Sequence, residues 1–387
     1  MSHSKPWTVP AALLAWVAAS PAALSAELRY SATEIGPLAV PAFGSPMNNV
    51  GDVGGFVEVA GPGGPVLRPF LFRGEIRDLG MPDGAVGGYV TGVNDRGQAA
   101  VGYDFPGGVS RPYLFNGGGP LEPIALPAGF TSASPGAINN LGHMAGTMAG
   151  PAAGGPAAAP FVYADGVMSV LQLPAGADRG FARGINDRGD VLVAYLVPSG
   201  DSFTERAAVW SAGNLTELTP PEGWTYVEPV AINEHGHVLG RVHRLRADGN
   251  TVSRRPVLYR DGVATVLEQF GTGDTVNGMN DDGAFVGHLL GLTTHGYLYA
   301  DGTITDLTGL VSLPDGFSIY SARDVNNMGQ ILVRARNAAG DTRTYVLTPV
   351  PEPGAAALAL GIGAWALLAR RRADTEPAGG GRGPRRR

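Results

Sequence analysis

Cysteine is absent from the 387-residue sequence, and lysine occurs only once, at Lys5. Without cysteine the protein has no disulfide scaffold, no thiolate metal site and no cysteine nucleophile. Charged residues make up only 16% of the chain, while glycine contributes 59 residues and proline 31. The hydrophobic fraction of 44% is still enough to build a core, which argues against general disorder. The length predicts two or three domains or one large repeat domain.

Residues 1–26 are predicted to be a secretory signal peptide. Lys5 lies in a short polar start, and an apolar run covers Ala11 to Ala19. Small residues follow, which places cleavage after Ser25 or Ala26. The alternative is an uncleaved N-terminal anchor, but the apolar run is short for a bilayer span.

The opposite end carries a three-part tail over residues 350–372. The triplet Pro351-Glu352-Pro353 precedes an apolar stretch from Ala355 to Ala369, and the basic cluster Arg370-Arg371-Arg372 follows. Fifteen helical residues reach about 23 Å, short of a ~30 Å hydrocarbon core, but snorkelling arginines let such a helix hold a chain in a thin membrane. We predict a transmembrane helix over 355–369, with the arginines cytoplasmic and the residues before Pro351 outside.

This tail resembles the PEP-CTERM sorting signal of Gram-negative bacteria. The resemblance implies recognition by an exosortase, a membrane cysteine protease-transpeptidase, and cleavage near the Pro-Glu-Pro triplet. It further implies a transient inner-membrane intermediate, release or transfer to the outer surface, and a link with exopolysaccharide production. Residues 373–387 continue past the point where such tails normally stop and are predicted to be a disordered cytoplasmic tail. The alternative is an ordinary C-terminal membrane anchor.

The chain between the two ends is acidic. Residues 27 to 353 contain 20 basic and 32 acidic residues, which gives a net charge of −12. An acidic surface without a basic stripe argues against nucleic acid or anionic lipid as a partner.

A five-residue signature recurs seven times in this region: an apolar residue, Asn, a polar residue, one further residue and Gly. The asparagines are separated by 46, 45, 47, 47, 47 and 46 residues, a regular period that is typical of repeat architectures. The signature residues are Asn48, Asn94, Asn139, Asn186, Asn233, Asn280 and Asn326, with Gly51, Gly97, Gly142, Gly189, Gly236, Gly283 and Gly329.

Each copy is predicted to contain four short antiparallel strands. In the fourth copy these strands cover Phe181 to Ile185, Asp190 to Leu196, Ala207 to Trp210 and Leu215 to Leu218. The Asn-x-x-Gly segment suits a type I turn that ends on a left-handed Gly, and Asp-Gly pairs such as Asp165-Gly166 predict a second tight hairpin. Four strands every ~45 residues is the period of a β-propeller blade. The predicted fold is therefore all-β, a seven-bladed β-propeller over residues 27–349.

The chain ends predict how the ring closes. The seventh copy lacks a fourth strand, whereas Ser31 to Leu38 has the pattern of a fourth strand with no blade before it. Together the two pieces would complete one blade, so that an N-terminal strand seals the ring. An open β-solenoid is the alternative, but it requires capping repeats rather than complementary ends.

The repeats also resemble the HAF family of bacterial extracellular repeats. They share the apolar-Asn-x-x-Gly turn, a short aromatic strand such as Pro160-Phe161-Val162-Tyr163, and an Asp-Gly hairpin. The third strand departs from His-Ala-Phe, so the copies are divergent members. The resemblance implies an extracellular repeat protein and implies no particular activity.

The repeated Asn and Gly residues are predicted to be structural, because they recur once per copy. The alternative is calcium binding by the turn carboxylates Asp95, Asp187, Asp281 and Asp282. One or two carboxylates per turn fall short of the six to eight oxygen ligands that Ca²⁺ takes. The His235-Gly236-His237 segment is a weak metal candidate. No nucleophile elbow, P-loop, dinucleotide fingerprint or zinc-protease helix occurs, and we predict no catalytic residue, cofactor or metal.

Propeller geometry would place the uniform Asn-x-x-Gly turns at one end and the long, variable connections at the other. The long connections cover residues 146–159, 198–206, 220–229 and 243–255, and aromatic residues near them are Phe105, Phe130, Phe181, Trp224, Tyr226 and Phe317. Loops on a rigid scaffold are the usual place for binding. The alternative is that these loops vary because nothing constrains them.

The leading hypothesis is a non-enzymatic, exported and exosortase-processed protein of the cell surface or extracellular matrix, which contacts polysaccharide through the variable end. The alternative from another class is a secreted polysaccharide lyase or glycosidase. Its best candidate cluster of charges within one copy is Arg244, Arg246, Asp248, Arg254 and Arg255. A third option is a membrane-anchored protein whose tail is never cut.

Overall fold

The computed structural model describes residues 29–36, 46–61, 63–150, 157–200, 202–246 and 249–350. Residues from Tyr30 to Pro349 form one compact unit. The predicted signal peptide, the Pro-Glu-Pro triplet, the helix over 355–369, the arginine cluster and the tail over 373–387 lie outside the described residues. In the described part of the chain, no helix is long and apolar enough to cross a membrane.

The described chain is built from β-strands, with one turn of 3₁₀-helix at Pro314–Gly316. The strands are β1 (Tyr30–Gly36), β2 (Val53–Gly61), β3 (Gly64–Phe72), β4 (Ile76–Asp78), β5 (Gly87–Val93), β6 (Ala99–Phe105), β7 (Val109–Phe115), β8 (Leu121–Pro123), β9 (Ser132–Ile138), β10 (Met144–Ala149), β11 (Ala158–Ala164), β12 (Val167–Val170), β13 (Arg179–Ile185), β14 (Val191–Ser199), β15 (Ser202–Ser211), β16 (Asn214–Glu217), β17 (Tyr226–Ile232), β18 (Val238–Leu245), β19 (Thr251–Arg260), β20 (Val263–Val266), β21 (Thr275–Met279), β22 (Phe285–Leu289), β23 (His295–Ala300), β24 (Thr303–Asp306), β25 (Ser318–Val325), β26 (Ile331–Arg336) and β27 (Thr342–Pro349).

The strands pair in antiparallel fashion within each sequence repeat. We number the repeats as unit one (β2–β4), unit two (β5–β8), unit three (β9–β12), unit four (β13–β16), unit five (β17–β20), unit six (β21–β24) and unit seven (β25–β27). Met47 adds a short inner pairing to unit one, since it bridges Val53. A single parallel bridge between Ala158 and Arg179 links units three and four, and the strand pairings otherwise stay within the units.

The two ends of the compact unit pair with each other. β1 runs antiparallel to β27, from Tyr30 opposite Pro349 to Gly36 opposite Thr344, and so supplies the fourth strand of unit seven. Ile35 is only 1% exposed, because it packs in a cluster with Val53 of unit one and Leu332 of unit seven. The pairing predicted for the chain ends is therefore observed.

Among the described residues, the core is divided into seven hydrophobic clusters, and each of them joins two neighbouring units. Leu71 of unit one packs with Val90 and Val101 of unit two, for example. The series continues through the remaining units and returns, because Val346 of unit seven shares a cluster with Phe70 of unit one. Burying one such side chain fully is worth about 1.5–3 kcal/mol, so the packing of each sheet face against the neighbouring unit is the main source of stability.

Two kinds of tight turn connect the strands, as the sequence predicts. The Asn-x-x-Gly turns place their glycines at φ between +72° and +86°, where a Cβ is strained. The Asp-Gly pairs Asp165-Gly166, Asp261-Gly262 and Asp301-Gly302 have positive φ at both residues, as a type I′ hairpin requires.

The prediction of long loops at the variable end is wrong in two places. β14 and β15 continue to a tight turn at Gly200, so residues 198–206 are mostly strand. β18 and β19 likewise extend over most of residues 243–255. In both hairpins the ladder of backbone hydrogen bonds continues outward through further cross-strand pairs. Val197 of β14, for example, lies opposite Thr204 of β15.

Candidate functional site

The signature asparagines form a closed chain of hydrogen bonds. Each Asn Nδ2 donates to the backbone carbonyl of the signature Asn in the next unit, at 2.8 to 3.3 Å, and Asn326 donates to Asn48. We call this set the asparagine ring, and its members are Asn48, Asn94, Asn139, Asn186, Asn233, Asn280 and Asn326. All seven are buried, so their role is structural: each links its own turn to that of the neighbouring unit.

Asn94 illustrates why this position requires asparagine. Its Oδ1 accepts the backbone N–H groups of Arg96 and Gln98, at 3.1 and 2.9 Å. Its Nδ2 donates to the Gln98 side chain and to the Asn139 carbonyl, both at 2.8 Å. The amide supplies two N–H donors and a separate acceptor oxygen on one short side chain, whereas an ionised Asp has no donor and a Ser hydroxyl has only one.

A second ring adjoins the first and is made by the residue after each signature Asn. Each of these residues donates its backbone N–H to a side-chain oxygen of its counterpart in the next unit, at 2.6 to 2.9 Å. We call it the acidic ring, and its members are Asn49, Asp95, Asn140, Asp187, Glu234, Asp281 and Asn327. Sequence reasoning recognised these positions as polar and considered Asp95, Asp187 and Asp281 as calcium ligands, but it did not predict that every member provides a side-chain oxygen to the neighbouring unit.

The acidic ring and six members of the asparagine ring, all except Asn186, line a central cavity of about 260 Å³. Burial, together with the nearby charges of Asp187 and Asp281, raises the pKa of Glu234 to about 7. The four carboxylates of the acidic ring each accept a backbone N–H from the preceding unit, whereas Asp282 is exposed. Among the described residues, no group of three or more His, Asp or Glu side chains is placed to hold a metal ion.

The paired histidines of unit five are near each other but face different surroundings. The rings of His235 and His237 lie 5.7 Å apart and are tilted by 44°. His235 is exposed, whereas the Nδ1 atom of His237 is buried without a hydrogen-bond partner. Burial and the charge of Arg260 lower the pKa of His237, which keeps its imidazole neutral.

A half-buried cluster of ionisable side chains lies on units four and five, and sequence reasoning missed it. Glu228 and Arg241 are directly opposite each other on β17 and β18, as are Tyr226 and His243. Glu228 forms an ion pair with Arg241 and lies 2.9 Å, Oε2 to Nε2, from His243. The ring of His243 stacks on that of Tyr226 with centroids 4.4 Å apart, so its orientation is held from two sides.

The two carboxyl groups of this cluster have opposite pKa shifts, and two of its nitrogen atoms lack a hydrogen-bond partner. Burial would raise the pKa of Glu228, but the hydrogen bond from His243 and the charge of Arg241 outweigh it and lower the pKa to about 2. Glu205 on β15 has the opposite shift, since burial and the charge of Glu228 raise its pKa against the opposing effect of Arg183. The Nε atom of Arg241 and the Nδ1 atom of His243 are buried without a hydrogen-bond partner. We call Arg183, Glu205, Glu228, Arg241 and His243 the charged cluster.

The fifth-unit arginines that the sequence suggested as a cluster do not act together. Arg244 donates to the Gly223 carbonyl and lies over the Trp224 ring, at 4.7 Å from its centroid. Arg254 and Arg255 instead donate to Thr272, ahead of unit six. Arg246 is exposed, and Asp248 lies outside the described residues. The sequence feature that could have indicated the charged cluster is Glu228. It is a charged residue on the first strand of its unit, at a position where units three, four and six have Ser134, Phe181 and Thr275.

Two of the predicted aromatic residues meet in a groove between units two and three. The groove has a volume of about 670 Å³, and Phe105, Tyr113, Phe130 and Arg111 are among its lining residues. It lies at the variable end, because Phe105 is at the end of β6 opposite the Asn94 turn. Phe317, by contrast, is buried in a core cluster rather than presented at this end.

No protein-family model matches the sequence, and no curated protein sequence is significantly similar to it. Among solved structures, an oligogalacturonate lyase in complex with manganese is similar over 84% of this chain and 97% of its own length, with a TM-score of 0.51 and 12% identity. The Trypanosoma rangeli sialidase has a TM-score of 0.41 at 10% identity, over 88% of this chain and 62% of its own. The six-bladed Aleuria aurantia lectin has a TM-score of 0.35 at 14% identity, over 68% of this chain and 95% of its own.

The described part of the chain therefore has an all-β fold of the β-propeller kind. At 12% identity the likeness to the lyase concerns the fold alone.

Proposed function

We propose that the seven units are the blades of a seven-bladed β-propeller closed by β1. Three features of the described residues support this proposal: the asparagine ring, the sequence of inter-unit core clusters, and the pairing of β1 with β27. In an open solenoid, units one and seven would lie far apart, and Asn326 would have no reason to donate to the Asn48 carbonyl.

We further propose that the protein is exported, is processed by an exosortase through the tail over 350–372, and binds extracellular polysaccharide without cleaving it. The signal-like segment over 1–26 and the Pro351-Glu352-Pro353 tail support the export route. The acidic net charge of residues 27 to 353 and the absence of a basic stripe argue for a neutral or weakly charged polymer rather than nucleic acid.

The observation that carries the binding function is the groove between units two and three. Its volume lies within the range of small-molecule and oligomer sites, about 300–1,000 Å³. Phe105, Tyr113 and Phe130 offer apolar ring faces to the apolar face of a sugar, while the Arg111 guanidinium offers hydrogen-bond donors to its oxygens.

Retention of the purified full chain on beads that carry bacterial exopolysaccharides, neutral and uronic-acid-containing, tests this function. The wild type should be retained on at least one polymer, and Phe105→Ala/Phe130→Ala should bind about tenfold more weakly if each ring contributes about 0.7 kcal/mol. Met328→Ala, at the opposite end, is the matched control and should bind as the wild type does. A thermal melt of each variant separates lost binding from lost folding. No retention of the wild type on any polymer would refute the binding function.

The export route has its own test. The C-terminus of the mature protein, determined by mass spectrometry, should end near Pro351-Glu352-Pro353 in cells with an active exosortase and should retain the full tail in cells without one. An intact tail in both would favour a permanently anchored protein.

A second candidate, polysaccharide cleavage, is favoured by the charged cluster. Two carboxyl groups whose pKa values are displaced in opposite directions are the usual arrangement of a proton donor and an ionised partner. Glu205, with its raised pKa, would be the donor, and Glu228, with a pKa of about 2, would stay ionised.

Release of reducing ends or unsaturated sugar products from the polymers that bind tests this candidate. Glu205→Gln should abolish release and leave retention on the beads intact, while Glu217→Gln on the exposed side of unit four should not affect release. Polymers that bind without any product would reject cleavage.

A further inference from the structure

Both ends of the compact unit lie at the same end of the sheets. The Asn326 turn joins β25 to β26, and β26 begins beside it at Ile331. Because Ile331 pairs with Leu347, the last residues of β27 also lie at the turn end. Tyr30 pairs with Pro349, so β1 begins there too. The chain therefore leaves the described sheets at the end that carries the Asn-x-x-Gly turns.

The remaining length of chain limits how far this end can be from a membrane. Five residues, 350–354, separate Pro349 from the apolar stretch that begins at Ala355. Fully extended, five residues span at most about 18 Å. Strands β25 and β27 of unit seven are each eight residues long, which corresponds to about 27 Å, so the variable end lies beyond the reach of this linker.

The turns beside the exit expose apolar side chains. Met328, in the turn of unit seven, is 68% exposed, and Val50, in the turn of unit one, is 67% exposed. These two units are neighbours, since they share the cluster that contains Val53 and Leu332. The carboxylates of the acidic ring, in contrast, line the central cavity and accept N–H groups there.

We propose that, while the tail is in the membrane, the turn end of the sheets lies against the lipid bilayer around Val50 and Met328, and the variable end points away from it. This inference rests on the proposed membrane intermediate. The groove lined by Phe105 and Phe130 then faces the extracellular side before any cleavage, so polymer can bind to the anchored protein.

The absence of cysteine allows a direct test with the full chain. Single substitutions Met328→Cys and Val50→Cys at the turn end, and Leu292→Cys and Phe203→Cys at the variable end, all replace exposed side chains. Each variant is labelled with an environment-sensitive fluorophore and reconstituted into phosphatidylcholine vesicles, with or without a headgroup quencher. Labels at the turn end should lose most of their fluorescence to the quencher, and labels at the variable end should not.

Two further measurements make the outcome decisive. Insertion of ten Gly-Ser residues after Pro349 should relieve the quenching at Met328→Cys, because the linker then no longer holds the turn end near the lipid. Equal quenching at both ends, or stronger quenching at Leu292→Cys, would overturn the orientation. Flotation with the vesicles identifies the other failure: a full chain that does not float has no membrane intermediate, which refutes the anchoring and the orientation with it. Retention on polysaccharide beads is measured in a separate experiment, so failure of the binding function is distinguished from failure of the anchoring and of the orientation.

Discussion

Replacement of Asn94 by Ala tests whether the asparagine ring stabilises the fold. The substitution removes four hydrogen bonds, two accepted by Oδ1 and two donated by Nδ2. The Asn139 carbonyl keeps the Gly142 N–H as a donor, but the N–H groups of Arg96 and Gln98 lose their acceptor. At about 1 kcal/mol for each bond, with a further penalty for unsatisfied N–H groups, the expected loss is about 3–5 kcal/mol.

That loss is a large share of the total stability of a typical domain, about 5–15 kcal/mol. Urea denaturation of the purified full chain, followed by tryptophan fluorescence and circular dichroism, measures it. Asn139→Ala should cost slightly less, because three of the four bonds of Asn94 recur at Asn139 and the side-chain bond to Gln98 has no counterpart. The control Asn214→Ala alters an exposed turn and should stay within about 0.5 kcal/mol of the wild type.

Asn94→Asp separates the donor role from the acceptor role. The carboxylate still accepts the Arg96 and Gln98 N–H groups but places an oxygen against the Asn139 carbonyl, where Nδ2 donated at 2.8 Å. It should therefore be more destabilising at pH 7 than at pH 4, where a protonated carboxyl can donate. An Asn94→Ala protein within about 1 kcal/mol of the wild type, or an Asn94→Asp protein indifferent to pH, would refute the structural role assigned to the ring.

Three further outcomes are expected from urea denaturation or thermal melts. Burial raises the pKa of Asp324 to about 7, so between about pH 4 and pH 7 the native protein holds a proton that the unfolded chain has lost. The free energy of unfolding should therefore fall by about 4 kcal/mol as the pH rises through this range. Asp324→Asn should remove this part of the pH dependence, and Glu234→Gln should remove a smaller part. Gly189→Ala should cost about 1 kcal/mol, because φ is +82° but no atom lies within 4 Å of the added Cβ, and a neutral result would contradict the turn argument. Ile35→Ala should cost about 2–5 kcal/mol, since Ile35 is buried where β1 closes against units one and seven, and a loss under about 1 kcal/mol would mean that β1 is dispensable.

Local chemistry made much of the fold predictable. The Asn-x-x-Gly period is visible because each turn requires one residue that bonds its own backbone and one that tolerates positive φ, as Asn186 and Gly189 do. The complementary ends at Tyr30–Gly36 and Thr342–Pro349 were also predictable, because the seventh copy lacks a fourth strand and the start of the compact unit has the pattern of one. Strand lengths at the variable end were not, because Pro198, Ser199 and Gly200 have the composition of a loop, although the β14–β15 ladder continues up to the turn at Gly200.

The sequence by itself determined the repeat, the turn chemistry and the order of the strands, since each depends on residues within a few positions of one another. Only the tertiary structure decided which side chains meet across units. The acidic ring joins residues about 46 positions apart, and the charged cluster brings Glu205 of one unit beside Glu228 of the next. Such encounters follow from how the sheets are arranged around the cavity, and a change of a single residue on an inner strand, as at Glu228, leaves no periodic trace in the sequence.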